Sequence, residues 1–234
     1  MIKKFLRLGS PLAAFCMSVA LSASTANAAI LMNYSSGGGG FTIAPTNVDP
    51  SITGDALTAE RGLRSLGLTN SYGFGDWDPT SNSFDDAVAV FDFWTWGFSV
   101  NSGENVVNLE GMDIRLVRNF SGPDAFEIQA SVNGGAALAL FSHDFGGEPN
   151  PVNFFGIDLG GLGTLTPGDR VDFTLAAFNS TSTSGNFGLV NFNNGSPGLV
   201  VNGSVTAVPE PSMIAVLSLL STGGLIVRRY RKKV

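Results

Sequence analysis

The chain contains one histidine, His143, within Phe141-Ser142-His143-Asp144. A Ser–His–Asp hydrolase needs such a base oriented by an acid and within reach of a nucleophile. Serine and aspartate are plentiful, but no Gly-x-Ser-x-Gly elbow occurs. One histidine does not make a multi-histidine metal site either. Carboxylate pairs are the second option, since glycoside hydrolysis uses two acids about 5–10 Å apart. The 19 acidic residues offer no spacing that singles out a pair. No catalytic residue is assigned.

Asp76, Asp78, Asn82, Asp85 and Asp86 gather within Gly-Asp-Trp-Asp-Pro-Thr-Ser-Asn-Ser-Phe-Asp-Asp. Their oxygens suit calcium, which takes about 6–8 such ligands. The EF-hand spacing is missing, so calcium would be structural; otherwise the loop is a solvated acidic turn. No other cofactor is implied. Trp77 lies in this polar loop, which makes it the candidate for stacking on a sugar ring. The aromatics Phe91, Phe93, Trp94, Trp96 and Phe98 are denser and read as core.

The elements that carry these residues are strands. Phe126, Ile128, Ala130 and Val132 alternate with Glu127, Gln129 and Ser131. Val171, Phe173, Leu175 and Ala177 alternate with more polar neighbours, as do Met112, Ile114 and Leu116, and Leu199, Val201, Gly203 and Val205. This period of two marks strands with one wet face. Val88–Val100 is apolar on both faces and reads as a central strand. Turn signals such as Asn133-Gly134-Gly135 and Thr166-Pro167-Gly168-Asp169 separate the runs. The pattern predicts an all-β fold, an antiparallel β-sandwich of jelly-roll-like form, with a barrel as the alternative. A weak helical turn is expected only near Leu57–Leu66.

Of the 234 residues, 44% are hydrophobic and 14% are charged, against roughly 25% charged in an ordinary soluble domain. Residues 29–207 hold five arginines, no lysine and 18 acids, a net charge of −13. A surface this acidic repels phosphate backbones and excludes nucleic acid as a partner. The sole cysteine, Cys16, precedes this stretch, so thiol chemistry is absent from it.

The two ends differ from the middle. Residues 1–28 carry Lys3, Lys4 and Arg7, a short apolar run, and Ala26-Asn27-Ala28. That is the plan of a secretory signal peptide cleaved at the small-x-small site formed by Ala26 and Ala28. At the other end, Pro209-Glu210-Pro211 precedes an apolar run over 213–227 and a basic end over 228–233. Fifteen residues span about 22 Å as a helix, short of a hydrocarbon core of about 30 Å, although long Arg and Lys stems reach the interface. The basic end would stay cytoplasmic and leave the acidic domain outside.

This order over 208–234 resembles the PEP-CTERM sorting domain. The resemblance implies an exported protein of a Gram-negative bacterium, held transiently in the inner membrane by one spanning helix. It implies recognition by the membrane enzyme exosortase through Pro209, Glu210 and Pro211, and delivery to the cell surface or extracellular space. The family is linked to exopolysaccharide and biofilm-like material. Within 29–207 a second likeness runs through Arg61-Gly62, Trp77, Arg118, Ser121-Gly122-Pro123, Phe126, Ser131-Val132-Asn133-Gly134, Phe178-Asn179, Gly185 and Val201-Asn202-Gly203-Ser204-Val205. It resembles a β-sandwich module of unknown function found in such proteins. The expectation is a non-enzymatic surface or matrix protein, structural or adhesive, with exopolysaccharide as a candidate ligand. The rival is a secreted polysaccharide hydrolase. Two convergent carboxylates on a concave face would mark the rival, and an exposed aromatic beside a groove without such a pair would mark a binding module.

Overall fold

The computed structural model describes residues 29–37, 40–60, 62–66, 71–103, 105–146, 151–193 and 195–207. The expected leader with Ala26 and Ala28, the tail with Pro209, Glu210 and Pro211, and Arg61 lie outside the described residues. Among those described, no helix is long and apolar enough to cross a membrane.

Seven strands come first: β1 (Ala29–Tyr34), β2 (Thr42–Ile43), β3 (Asn47–Val48), β4 (Ile52–Gly54), β5 (Leu57–Ala59), β6 (Arg64–Ser65) and β7 (Ser71–Gly75). A short helix, α1 (Phe84–Ala89), leads into β8 (Phe93–Val100), β9 (Asn105–Arg118), β10 (Ala125–Val132) and β11 (Leu138–Asp144). The chain continues through β12 (Val152–Asp158), β13 (Thr164–Leu165), β14 (Arg170–Phe178), β15 (Phe187–Val190) and β16 (Leu199–Ala207).

These strands form two antiparallel sheets. The first runs β3-β1-β16-β9-β15-β7-β6, with β12 and β13 also paired to β9. The second runs β11-β10-β14-β8-β5-β2, with β4 also on β8. The all-β, two-sheet expectation therefore holds, and the strands do not close into one barrel. The alternating positions point as expected: Phe126, Ile128, Ala130, Val171, Phe173, Leu175 and Ala177 are buried. Aromatic side chains join the sheets. Trp94 on β8 lies 5.6 Å from Tyr72 on β7 and 5.3 Å from Phe187 on β15. Phe126 on β10 lies 5.2 Å from Phe154 on β12, edge to face. Such rings bury large apolar areas and prefer tilted contacts, so one continuous core results.

Three elements depart from the sequence reading. In place of the expected helical turn, Leu57–Ala59 form β5 and Arg64–Ser65 form β6, because Leu57 and Ala59 are buried while Thr58 pairs with Thr95 of the central strand. Val88 and Ala89 belong to α1, and the central strand begins only at Phe93. Ser83 caps this helix, its Oγ accepting from Asp86 N–H at 3.2 Å, with Asp85 and Asp86 in the first turn beside the partial positive charge of the helix end. In β9 the buried positions change parity, from Val107 and Leu109 to Met112, Ile114 and Leu116. The pairing with β16 shifts there, between Gly203 opposite Leu109 and Asn202 opposite Gly111. A bulge at that step keeps both halves of a long strand facing the core.

Candidate functional site

The site starts from a second irregularity on the first sheet. Over Gly111–Ile114, β9 pairs with β16 on one edge and β12 on the other. In β12, Phe154 pairs with Ile114 and Ile157 with Met112, so Phe155 and Gly156 both face the single residue Asp113. Gly156 has φ 64°, a backbone conformation that costs glycine little. Phe154 and Ile157 stay in the core, and Phe155 is turned out at 67% exposure. A bulge leaves a ladder N–H without its usual partner, and here Asp113 Oδ1 accepts from Gly156 N–H at 2.8 Å.

Phe192 reaches the same place from the loop between β15 and β16. Two backbone bonds fold that loop: Phe192 N–H donates to Ser196 O at 3.0 Å, and Gly195 N–H donates to Phe192 O at 2.8 Å. Asn191 anchors its base, with Oδ1 accepting from Ser36 N–H at 2.8 Å and its carbonyl accepting from Arg115 Nη1 at 2.7 Å. Phe192 then stacks on Phe155, ring centroids 5.3 Å apart and planes 20° off parallel. The pair borders a groove of about 490 Å³ whose walls include Ile30, Val200, Asp113, Asn153, Asn193, Ser196, Pro197 and Asn202. The wall is thus an aromatic platform beside amides, a hydroxyl and one carboxylate. Such a surface suits a ligand with both apolar C–H faces and hydroxyl groups. One carboxylate does not make the acid pair of glycoside hydrolysis.

The sequence-derived candidates lie elsewhere. Trp77, expected at a polar loop surface, is fully buried. Its ring packs at 5.4 Å on Phe187 and 6.3 Å from Trp94, and its Nε1–H donates to Phe74 O at 2.9 Å. Burying the ring with its one donor satisfied removes it from any surface role. The calcium cluster is not assembled: among the described residues no three His, Cys, Asp or Glu side chains gather. Their polar groups are used separately instead. Asp76 Oδ2 accepts from Arg64 Nε at 3.1 Å. Asp78 Oδ1 accepts from both Thr80 N–H and Thr80 Oγ1–H, which hold its carboxyl below the usual carboxylate range. Asn82 Nδ2 donates to Thr80 O at 2.7 Å, Asp86 Oδ2 accepts from Asn82 N–H, and Asp85 sits in the first turn of α1.

His143 is half-buried among rings, with Phe154 at 4.8 Å, Phe145 at 5.1 Å and Phe141 stacked at 6.5 Å. Asp144 Oδ1 accepts from Gly146 N–H, so it serves a turn. Two residues of the module likeness, Arg118 and Gly122, are architectural. Arg118 is buried, paired with Asp124, and donates to the carbonyls of Phe120 and Gly122. A Cβ on Gly122 would sit 2.2 Å from Asn186 O, so only glycine allows that approach. Asp92 was not singled out by the sequence. It is buried, accepts from Asp78 N–H at 2.6 Å, and burial pushes its carboxyl up to about 6.

Phe155, Phe192 and Asp113 also escaped the sequence reading. One signal was available, because Phe154-Phe155-Gly156-Ile157 breaks alternation at a glycine, a mark of a bulge.

No family model matches the chain, and no curated protein matches it. Among solved structures, a family 29 carbohydrate-binding module complexed with cellulohexaose is similar at TM-score 0.34 and 14% identity. The match covers 76% of this chain and 91% of that one. A family 61 module in complex with β-1,4-galactotriose gives TM-score 0.26 and 8% identity, over 67% of this chain and 86% of that one. At such values the sugar binding stays with those modules.

Proposed function

We propose that the chain is an exported surface or matrix protein whose jelly-roll-like sandwich binds glycan in the groove beneath Phe155 and Phe192. The observation that carries this reading is the stacked, outward-facing aromatic pair set among Asn153, Asn193, Ser196, Asn202 and Asp113. Two separate backbone devices, a bulge and an anchored loop, bring these rings together outside the core. A sugar ring offers an apolar face to the aromatic edge of the groove and hydroxyls to the amides. The role is adhesive rather than hydrolytic.

Export and sorting rest on the sequence of the two ends. The signal peptide directs secretion, and exosortase reads Pro209-Glu210-Pro211 ahead of the spanning segment. The prolines keep that tripeptide extended, and the basic end fixes orientation. The surface address and the binding groove then fit one role, holding secreted exopolysaccharide at or near the cell.

Retention of the full chain, purified in detergent, on a panel of immobilised polysaccharides tests the binding half. Phe155→Ala and Phe192→Ala should each reduce retention at least about fivefold, since a stacked ring is worth roughly 1 kcal/mol or more. Wild-type retention on none of the panel would defeat the reading. For sorting, replacing Pro209, Glu210 and Pro211 by Ala in an exosortase-bearing host should leave a full-length, membrane-held form. Processing of that variant like wild type would leave a plain tail anchor as the better account.

A further inference from the structure

We infer that the groove selects uncharged polysaccharide and rejects acidic polymers, with Asp113 as the discriminating residue. The inference rests on the glycan-binding reading and adds the class of ligand. Among the described residues Asp113 is the one ionisable side chain in the groove wall, and no Lys, Arg or His lines it. Its place is fixed from two sides, by pairing opposite Val200 and by the bond from Gly156 N–H to Oδ1. A carboxylate accepts about four hydrogen bonds, so one backbone donor leaves capacity for sugar hydroxyls. The same charge meets a uronate or sulfate group as a like charge beside low-dielectric rings, where repulsion is least screened.

Arg115, two residues along β9, is the candidate on the same strand to offset that charge. Its Nη1 is committed to the Asn191 carbonyl at the base of the loop, and it does not line the groove. It keeps its charge but braces the loop that carries Phe192, so it offers a ligand in the groove no direct contact. The surrounding domain adds to the effect, with five arginines against 18 acids over residues 29–207. Long-range repulsion slows the approach of a polyanion, and the groove contains nothing to reward its arrival.

The test compares retention of the detergent-purified full chain on neutral polymers (β-glucan, galactan, xylan and mannan) and acidic ones (polygalacturonate and alginate) at low ionic strength. At least one neutral polymer should be retained about tenfold better than either acidic one, as a like-charge contact predicts. Asp113→Asn keeps the acceptor for Gly156 N–H and removes the charge, so the neutral-to-acidic ratio should fall several-fold. Added salt should lower that ratio in both proteins, because the rest of the acidic domain still repels polyanions, and should lower it further in the wild type. Unchanged retention of the variant on the neutral polymer reports that it folds.

Equal or stronger wild-type retention on polygalacturonate or alginate, sensitive to Phe155→Ala, would overturn the selectivity and leave glycan binding standing. A ratio unmoved by Asp113→Asn would remove Asp113 from the account, whatever its response to salt. No retention on any polymer would overturn the binding reading and this inference together.

Discussion

Asp113 and Asp92 make a useful pair. Each is an aspartate accepting one backbone N–H, from Gly156 at 2.8 Å and from Asp78 at 2.6 Å. Each lies in a part of the chain rich in aromatic side chains. Asp113 borders an open groove under Phe155 and Phe192. Asp92 is enclosed near the end of α1, in a region whose nearby tryptophan, Trp77, is wholly interior. The comparison shows that the polarity of a local segment does not decide exposure. Trp77 has acids on both sides in sequence and is buried, because the loop folds its ring inward against Phe187. Phe155 sits in an apolar strand and is exposed, because a bulge turns it away from the core.

The largest expected effect separates interior from surface outright. Phe126→Asp places an unpaired charge among buried rings and should cost more than about 4 kcal/mol, abolishing cooperative unfolding at room temperature. Gln129→Asp, on the half-buried outer face of the same strand, should cost under about 1 kcal/mol despite the nearby Glu127. Equal tolerance in a denaturant melt would break the assignment of faces.

Trp77→Ala comes next. A buried tryptophan replaced by alanine should lose about 3–5 kcal/mol. A loss under about 1 kcal/mol would place Trp77 on the surface after all.

The third effect concerns Asp92 and has a sign that changes the pH profile. Its carboxyl rises from 3.8 to about 6 on folding because burial disfavours the charged form. The folded state therefore binds the proton more tightly than the unfolded chain. The stabilising contribution is full below the unfolded value and is lost as pH rises through the folded one. Asp92→Asn keeps an acceptor for Asp78 N–H and has no charge to bury. It should be more stable than wild type near pH 7 by up to about 3 kcal/mol, less whatever solvent screening of the carboxyl removes, and the advantage should vanish below about pH 4. Melts across that window check it; a variant less stable than wild type at pH 7 would contradict the burial account.

The smallest effect on stability belongs to the groove. Phe155→Ala should change unfolding free energy by less than about 0.5 kcal/mol, as an exposed ring contributes little to the core. Paired with its expected loss of retention, this sharpens the contrast with Trp77.

Much of the fold was legible in the sequence. Phe126, Ile128 and Ala130, or Val171, Phe173 and Leu175, carry the strand period in neighbouring residues. The Asn133-Gly134 turn takes φ 53° and 67°, as its residue types suggest. The missed elements are those where local pattern competes with something else. α1 is only six residues long, and its Ser83 cap was overshadowed by the apolar run that follows. β5 and β6 are three- and two-residue pieces that exist through pairing rather than propensity. The site was hidden for a different reason. Ile30, Asp113, Phe155 and Phe192 meet only because β1, β9, β12, β16 and the loop before β16 share one face, and sequence spacing does not encode that meeting. The carboxylates expected to share a calcium ion are close in sequence, yet Asp76 is used by Arg64 and Asp78 by Thr80.

The most direct measurement is a titration of isotope-labelled full chain with a retained neutral oligosaccharide, following the aromatic and backbone resonances. The account predicts that the perturbed signals cluster at Phe155, Phe192, Asp113, Asn153 and Asn202, with Trp77 and Trp94 unmoved. Perturbations centred on the outer face of the second sheet, or around residues 76–92, would contradict it.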